Sequence, residues 1–274
     1  PARASAIAAI GNNKSVPEGH TIHRLAADQH HLVGRRVRSS SPQGRFSEGA
    51  TAIDGCTLDA VVAAGKHLFH SYGNVRLHVH LGTTGLFFRT NEPTAAARPQ
   101  VRLRLDFGWA EVWDLIAPMR CELLDVAGVQ AIVSSLGPDP LGPSADPEEV
   151  WRRLSKKPRR PVGIALLDQS VIAGVGNVFR TEALAACRIH PSRPAAEVSR
   201  QDFNCLWSAL TRMMPRAVEE GRIVTVDVAV GSNIAEAEAR YVYKQRQCRR
   251  CGTAVHSWKL GGRTAHACPA CQPD

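Results

Sequence analysis

The sequence predicts an α+β protein: an N-terminal antiparallel β-sandwich with flanking helices, then a helical region, then a small cysteine-rich module at the C-terminus. Three observations predict it. Between Val61 and Leu115, apolar and polar residues alternate over short runs, as in sheets with one buried face each. From Pro161 onward the spacing is that of helices. The chain then closes on Cys248-Arg-Arg-Cys251 and Cys268-Pro-Ala-Cys271, two C-x-x-C pairs separated by sixteen residues.

Composition narrows the function classes. A chain of 274 residues holds one large domain or two modest ones, each with a core. A formal net charge of +9 and a pI near 9.5 favour a polyanionic partner. Nucleic acid leads over an acidic membrane, because no long basic amphipathic helix is present. No apolar run reaches membrane-spanning length, and residues 1–16 lack the order of a signal peptide. Four of the eight cysteines cluster at the C-terminus; Cys56, Cys121, Cys187 and Cys205 read as buried thiols of a reducing cytosol. No internal repeat is visible.

Residues 1–16 are small, polar and aperiodic, and read as a disordered leader. From Glu18 to Val33, Ile22, Leu25, Ala26, Leu32 and Val33 recur at helical spacing, with Gly34 as the stop. Val61–Tyr72 is strand-like and includes Gly65-Lys66-His67-Leu68. Val75, Leu77, Val79 and Leu81 alternate with Arg76, His78 and His80. Val101, Leu103, Leu105 and Phe107 do the same, and Glu111–Leu115 adds another strand. His78 and His80 share one strand face; with no third ligand indicated, they read as half-exposed strand histidines rather than a metal site. Gly137-Pro138-Asp139-Pro140 turns the chain into its second half. Pro161–Leu167 reads as a short helix, and another starts at Asn177 after Gly174 and Gly176. Ser199-Arg-Gln-Asp202 is a capping box for a helix burying Phe203, Leu206, Trp207, Leu210 and Met214, which Pro215 should kink or end. Residues 231–240 read as a mobile connection. The expected domains are 17–134, 135–240 and 241–274.

Certain residues carry chemistry. Four thiolates at the two C-x-x-C pairs, Cys248, Cys251, Cys268 and Cys271, suit one structural zinc ion; a disulfide pair is the alternative. Zinc would fold a module too small for its own core, and would fix the loop carrying Arg263. In Val16-Pro17-Glu18-Gly19-His20, a free proline amine could attack an aldehyde-like carbon, with Glu18 moving a proton beside it. The plain alternative is a helix start, with proline and glutamate in the first turn. Inside a peptide bond the Pro17 nitrogen has no usable lone pair. Gly174, Gly176 and Asn177 suit a phosphate at a helix N-terminus. The basic stretch Lys156-Lys157-Pro158-Arg159-Arg160 suits either solvent or phosphates.

Together, Pro17-Glu18-Gly19 and Gly262-Arg263-Thr264 with Cys268-Pro-Ala-Cys271-Gln272 resemble the formamidopyrimidine-DNA glycosylase/endonuclease VIII family, in its actinobacterial Nei-like branch. Asp168-Gln169-Ser-Val-Ile-Ala-Gly174-Val-Gly176-Asn177-Val-Phe resembles that family's helix–two-turn–helix element, the longest match in the chain. The resemblance implies a bifunctional DNA glycosylase and abasic-site lyase, monomeric and cytoplasmic in a bacterium, near the nucleoid. Its partner is damaged DNA, with an oxidised base turned out of the stack. Pro17 would attack C1′, Glu18 would protonate the ring oxygen, and β- then δ-elimination would cut the strand. Lys66, in the matching Gly-Lys-x-Leu motif, and Arg263 would assist, and Asn177 with Arg263 would grip phosphates. Val16 stands where the family has its initiator methionine, so the expected native start is Val16, read from a GUG codon as methionine and trimmed to expose Pro17.

Departures from the family pattern set further expectations. Gly82-Thr83-Thr84, which would fill the gap left by a flipped base, offers little to wedge into a stack. Ser135 and Ile116 stand where relatives can carry arginine. These changes imply a preference for single-stranded, bubble or abasic substrates. The rival reading is a non-catalytic, zinc-containing DNA-binding relative; a generic zinc-ribbon protein leaves Pro17-Glu18 and the helix–two-turn–helix stretch unexplained.

Overall fold

Alternation of apolar side chains dictates the first half of the molecule. The computed structural model describes residues 16–274, so the expected leader lies, apart from Val16, outside the described residues. Helix α1 (Gly19–Gln29) buries Ile22, Leu25 and Gln29, continues as a 3-10 turn over His30–Leu32, and leaves through Gly34 at φ 88°. Two antiparallel four-stranded sheets follow. One has the order β1 (Arg38–Ser40), β6 (Val101–Asp106), β7 (Val112–Ile116), β5 (Leu86–Arg89). The other runs β2 (Ala60–Ala64), β3 (His67–Tyr72), β4 (Val75–His80), β8 (Arg120–Leu124). Leu68, Leu77, Val79, Leu103, Leu105 and Leu115 are sealed between them, with α2 (Ser47–Ile53) contributing Ala50 and Ile53. Each fully buried side chain of this kind contributes roughly 1.5–3 kcal/mol of transfer free energy.

The strand-like stretch Val61–Tyr72 is corrected to a hairpin. Ala64 faces His67 across β2 and β3, and Gly65-Lys66 is the two-residue turn, with Gly65 at φ +57°. That left-handed conformation is open to glycine at little cost, so Lys66 stands at a hairpin tip instead of on a pleat.

Helix α3 (Val126–Ser135) and the Gly137–Asp139 turn carry the chain into a second core. There α4 (Pro147–Ser155), α5 (Val162–Ala165), α6 (Asn177–Ala186) and α7 (Arg200–Glu220) bury Val150, Leu154, Phe179, Leu184, Leu206 and Met214 together. The capping box of α7 forms: Asp202 N donates to Ser199 Oγ and Ser199 N to Asp202 Oδ2. Pro215 does not end the helix, which continues to Glu220. One lost backbone hydrogen bond there is outweighed by the burial of Met213, Met214 and Ala217 on either side.

Cysteine usage also needs correction. Cys187, at the end of α6, and Cys205, in the first turns of α7, form a disulfide with a Cα–Cα separation of 5.8 Å. Packing of α6 on α7 brings together two residues that look unrelated in sequence. Cys56 and Cys121 are free and half-buried, not fully buried. Residues 231–240 are tied down: Ile234 and Ala239 pack with Val224 and Val226, and Arg240 pairs with Glu236. Glu182, buried in α6, accepts hydrogen bonds from Tyr241 N (2.8 Å), Val242 N (2.9 Å) and Tyr243 N (2.7 Å), which fixes the entry to the C-terminal finger. The finger is the hairpin β9 (His256–Leu260) and β10 (Arg263–Ala267) beside the four clustered cysteines, turning at Gly261-Gly262.

Candidate active site

The chemistry converges where α1, the β2–β3 hairpin, the start of α6 and the finger hairpin meet. A cavity of 240 Å³ there is lined by Val16, Pro17, Glu18, Lys66, His80, Gly82, Thr83, Met119, Leu167, Gln169, Gly176, Asn177 and Arg263. A larger open hollow of 650 Å³, between α2 and β8, holds none of the residues expected to act.

Glu18 organises this cleft. It is 1% exposed, and its carboxylate accepts hydrogen bonds from Gly176 N (3.0 Å), Val178 N (2.8 Å) and Phe179 N (3.3 Å). Glu18 therefore caps α6 and occupies the helix N-terminus that the sequence offered to a phosphate. Asn177 is not the cap either. Its amide donates to Thr264 O (3.0 Å) and its carbonyl accepts from Arg180. Gly176 must be glycine, since a Cβ there would lie 2.2 Å from the Glu18 carboxyl carbon. Burial raises the Glu18 pKa above the ordinary carboxylate range, against the opposing pull of Lys66 and the three backbone N–H groups. A carboxyl held this way keeps its proton longer than an exposed one and can act as an acid.

Lys66 donates to Val175 O at 2.8 Å. Burial lowers its pKa, Glu18 raises it and Arg263 lowers it again. Gln169 braces the same loop, donating to Val175 O (3.0 Å) and accepting from Gly174 N (3.0 Å). Arg263, the first residue of β10, reaches the cleft from the finger. The sequence reading missed Arg180, which is 1% exposed and donates to Gly163 O (3.2 Å) and Thr264 O (3.0 Å). It pins the finger hairpin onto α5 and α6. Its one sequence signal is the spacing of three from Asn177, which puts both on one helix face.

Other expected site residues lie elsewhere. Thr84 is exposed just beyond the lining, and Ser135 ends α3 with its hydroxyl on Ile132 O. Lys157 and Arg160 are bound to Asp168 at 2.5 and 2.9 Å, while Lys156 and Arg159 are exposed. Met119, 65% exposed, stands against Gly82 at the cleft mouth and was not anticipated. His78 is buried rather than half-exposed, hydrogen-bonded to His67 and Glu122.

The thiol sulfurs of Cys248, Cys251, Cys268 and Cys271 all lie within 4.8 Å of one another, with individual spacings of 3.4 and 4.0 Å. Tetrahedral Zn–S bonds of about 2.3 Å imply spacings of about 3.8 Å, so the four donors fit one such ion. Gln272 locks the cluster to the helical core, accepting from Cys268 N (3.1 Å) and donating to Ile189 O (2.8 Å).

Comparison with known proteins matches this layout. Residues 16–115 match the formamidopyrimidine-DNA glycosylase N-terminal domain, and residues 136–228 the formamidopyrimidine-DNA glycosylase H2TH domain. The chain is 42% identical over 272 residues to Endonuclease 8 1 of Mycobacterium tuberculosis, across 94% of this chain and 100% of that protein. It is 30% identical over 250 residues to the formamidopyrimidine-DNA glycosylase of Thermomicrobium roseum, across 89% of this chain and 83% of that protein. The fold is shared with Lactococcus lactis Fpg, solved with abasic-site DNA, at a TM-score of 0.76 and 22% identity, over 94% of this chain and 100% of that chain. With its two catalytic-family domains in order and this extent of identity, the chain belongs to the formamidopyrimidine-DNA glycosylase/endonuclease VIII family.

Proposed function

We propose that this enzyme excises oxidised bases from DNA and then cuts the strand at the abasic site, using the secondary amine of Pro17. The observation that carries the reading is the buried Glu18 carboxyl, held on the N-terminus of α6 with a raised pKa, in one cleft with Pro17, Lys66 and Arg263. The Pro17 nitrogen attacks C1′ while Glu18 gives its proton to the ring oxygen, and the base departs. The iminium so formed acidifies C2′, and elimination expels first the 3′ and then the 5′ phosphate. Lys66 shares the cleft with Glu18 and balances its charge, and Arg263 and Asn177 face the phosphates beside the lesion. One zinc ion on Cys248, Cys251, Cys268 and Cys271 supplies structure, holding the Arg263 hairpin in place. Lys156 and Arg159 add exposed positive charge along the DNA, and Lys157 and Arg160 shape that surface through Asp168. Small side chains at Gly82, Thr83 and Thr84 favour single-stranded or abasic DNA, where less unstacking is needed. Among the described residues no helix is long and apolar enough to cross a membrane.

The chemistry requires an unacylated amine, and in this chain Val16 precedes Pro17. That observation favours the second reading, a DNA-binding relative without lyase activity, for any form that keeps Val16. Borohydride reduction in the presence of an abasic oligonucleotide separates the two. Protein beginning at Pro17 is expected to become cross-linked and to cut the strand, and protein beginning at Pro1 to do neither. A zinc-loaded Pro17 form that neither cuts nor cross-links would leave only the binding reading.

A further inference from the structure

We propose that His80, His67, His78 and Glu122 form a proton-exit path, carrying the sugar proton released during strand cleavage from the cleft to solvent. The inference rests on the elimination chemistry proposed above. Across β3, β4 and β8, His67 pairs with His80, and His78 with Glu122. Directly opposed residues project to one face, so all four groups stand on the same side of the sheet, away from the sandwich core.

The connections run in one direction. His78 Nδ1 lies 3.0 Å from Glu122 Oε1, and His67 Nδ1 lies 2.9 Å from His78 Nε2. The rings of His67 and His80 meet edge to face, with centroids 4.8 Å apart, and His80 lines the cleft. A carboxylate only accepts, so His78 carries its proton on Nδ1 and offers the Nε2 lone pair to His67 Nδ1–H. His67 is left with a lone pair on Nε2. At the cleft end Gly82 N donates to His80 Nδ1 (3.0 Å), so neutral His80 carries its proton on Nε2. The ring protons of His67 and His78 are therefore placed to move outward, while His80 meets His67 through the edge-to-face ring contact alone.

The surroundings keep these rings neutral at rest. Burial depresses His67 to about 3 and also lowers His78 and His80; their neighbours' charges add to this, with Glu122 opposing it at His78. The charged groups facing them are Lys66, Arg120 and Glu122, with Arg120 Nη1 3.7 Å from Glu122 Oε2. Helix α3, packed against β4 and β8, brings no titratable side chain. An added proton is thus destabilised on the rings and drawn toward Glu122, whose side chain is 37% exposed.

The step balances. The C2′–H bond breaks, its electron pair becomes the C1′=C2′ bond, and the iminium π pair returns to the Pro17 nitrogen; the enamine then expels the 3′ phosphate. The proton enters at His80 Nδ1 as the Gly82 hydrogen bond is released. His80 passes its Nε2 proton across the ring contact to His67 Nε2 by way of one bridging water, His67 passes its Nδ1 proton to His78 Nε2, and His78 passes its Nδ1 proton to Glu122, which loses it to water. One proton enters and one leaves.

The test uses zinc-loaded protein beginning at Pro17, an abasic oligonucleotide and weak buffer. Elimination and borohydride-trapped adduct are both measured for wild type, Glu122→Gln and His78→Gln, with and without added imidazole. Both variants are expected to form adduct, to eliminate about tenfold or more slowly, and to recover when imidazole supplies an outside acceptor. Glu122→Gln keeps an acceptor oxygen for His78 at a half-exposed position, so it tests the path even if His78→Gln unfolds. Wild-type elimination rates in weak buffer, or a slowed rate that imidazole leaves unchanged, overturn the path. Absence of adduct in the wild type overturns the proline chemistry instead.

Discussion

Two hairpin turns deliver the two cations of the cleft, and they are built on opposite principles. Gly65-Lys66 joins β2 to β3, in a sheet that seals Leu68, Leu77 and Val79 into a continuous apolar core. Gly261-Gly262 presents Arg263 from a finger whose buried cluster is little more than Val242, Ala185, Cys248 and Cys268. Lys66 is therefore held by burial of the sheet beneath it. Arg263 is held by the sulfur cluster and by polar ties, chiefly Thr264 O to Arg180 and Asn177 and Gln272 to Ile189. One cation stands on a hairpin fixed mainly by the hydrophobic effect, and the other on a hairpin held by clustered thiols and hydrogen bonds.

The strongest way to break that comparison is to withhold the zinc ion proposed for the four cysteines. Structural zinc supplies on the order of 10 kcal/mol of folding free energy in modules of this size. Chelation, or Cys251→Ser, is expected to unfold residues 241–274 and abolish incision, while the sandwich and helical cores keep their cooperative melt. Backbone amide spectra and an incision assay read the two outcomes together. Incision that survives complete loss of metal would mean the finger does not position Arg263.

Glu18 lines the same cleft as both cations, and its replacement is the next largest effect. If Glu18 supplies the proton proposed for the ring oxygen, Glu18→Gln slows base excision by about 10²–10⁴-fold. Cutting at a preformed abasic site, which does not need base departure, falls less. The pH dependence has a defined sign. Burial raises the folded carboxyl above its ordinary value of 4.5, so the folded state binds this proton more tightly than the unfolded chain. Its stabilising contribution is complete below 4.5 and is lost as pH rises through the raised folded value. Wild-type stability should decline across that window relative to Glu18→Gln, and base excision should fall on the same limb. Parallel pH profiles for the two proteins would remove Glu18 from the acid role.

What was legible in the sequence follows the range of the interactions. Alternation in β4 and β6, the Ser199–Asp202 capping box and the paired C-x-x-C motifs are local patterns, and they correspond to elements the structure contains. Grouping Pro17, Glu18, Lys66, Asn177 and Arg263 came from the family resemblance, and the cleft does bring them together. The Glu18 cap on α6 joins residues about 160 apart, a pairing no local pattern announces. The Gly65-Lys66 turn was hidden because its flanks read as one apolar run. Buried Arg180 and Glu182 drew no attention in the sequence, since most of their partners are groups from remote segments. Lys157 and Arg160 looked free because Asp168, which binds both, lies one helix away.

The finest test concerns the cleft mouth, where neither hairpin decides the outcome. Gly82 and Thr83 are too small to fill a gap in a base stack, but Met119 reaches the same edge from the β7–β8 loop. A Cβ at Gly82 would lie 2.9 Å from the Met119 Cβ, so the glycine leaves room for this side chain. Met119 is 65% exposed although apolar and flexible, an arrangement that costs hydration without DNA and returns it when a stacked base covers the thioether. Flipping a base from duplex costs a few kcal/mol, and burying one such side chain recovers about 1 kcal/mol of it. Met119→Ala is therefore expected to slow incision of a duplex lesion about fivefold while leaving single-stranded turnover unchanged, raising the ratio of single-stranded to duplex turnover. Rates on matched duplex and single-stranded oligonucleotides give the answer directly. An equal loss on both would show that Met119 only packs against Gly82, and the cleft would then have no wedge on this edge.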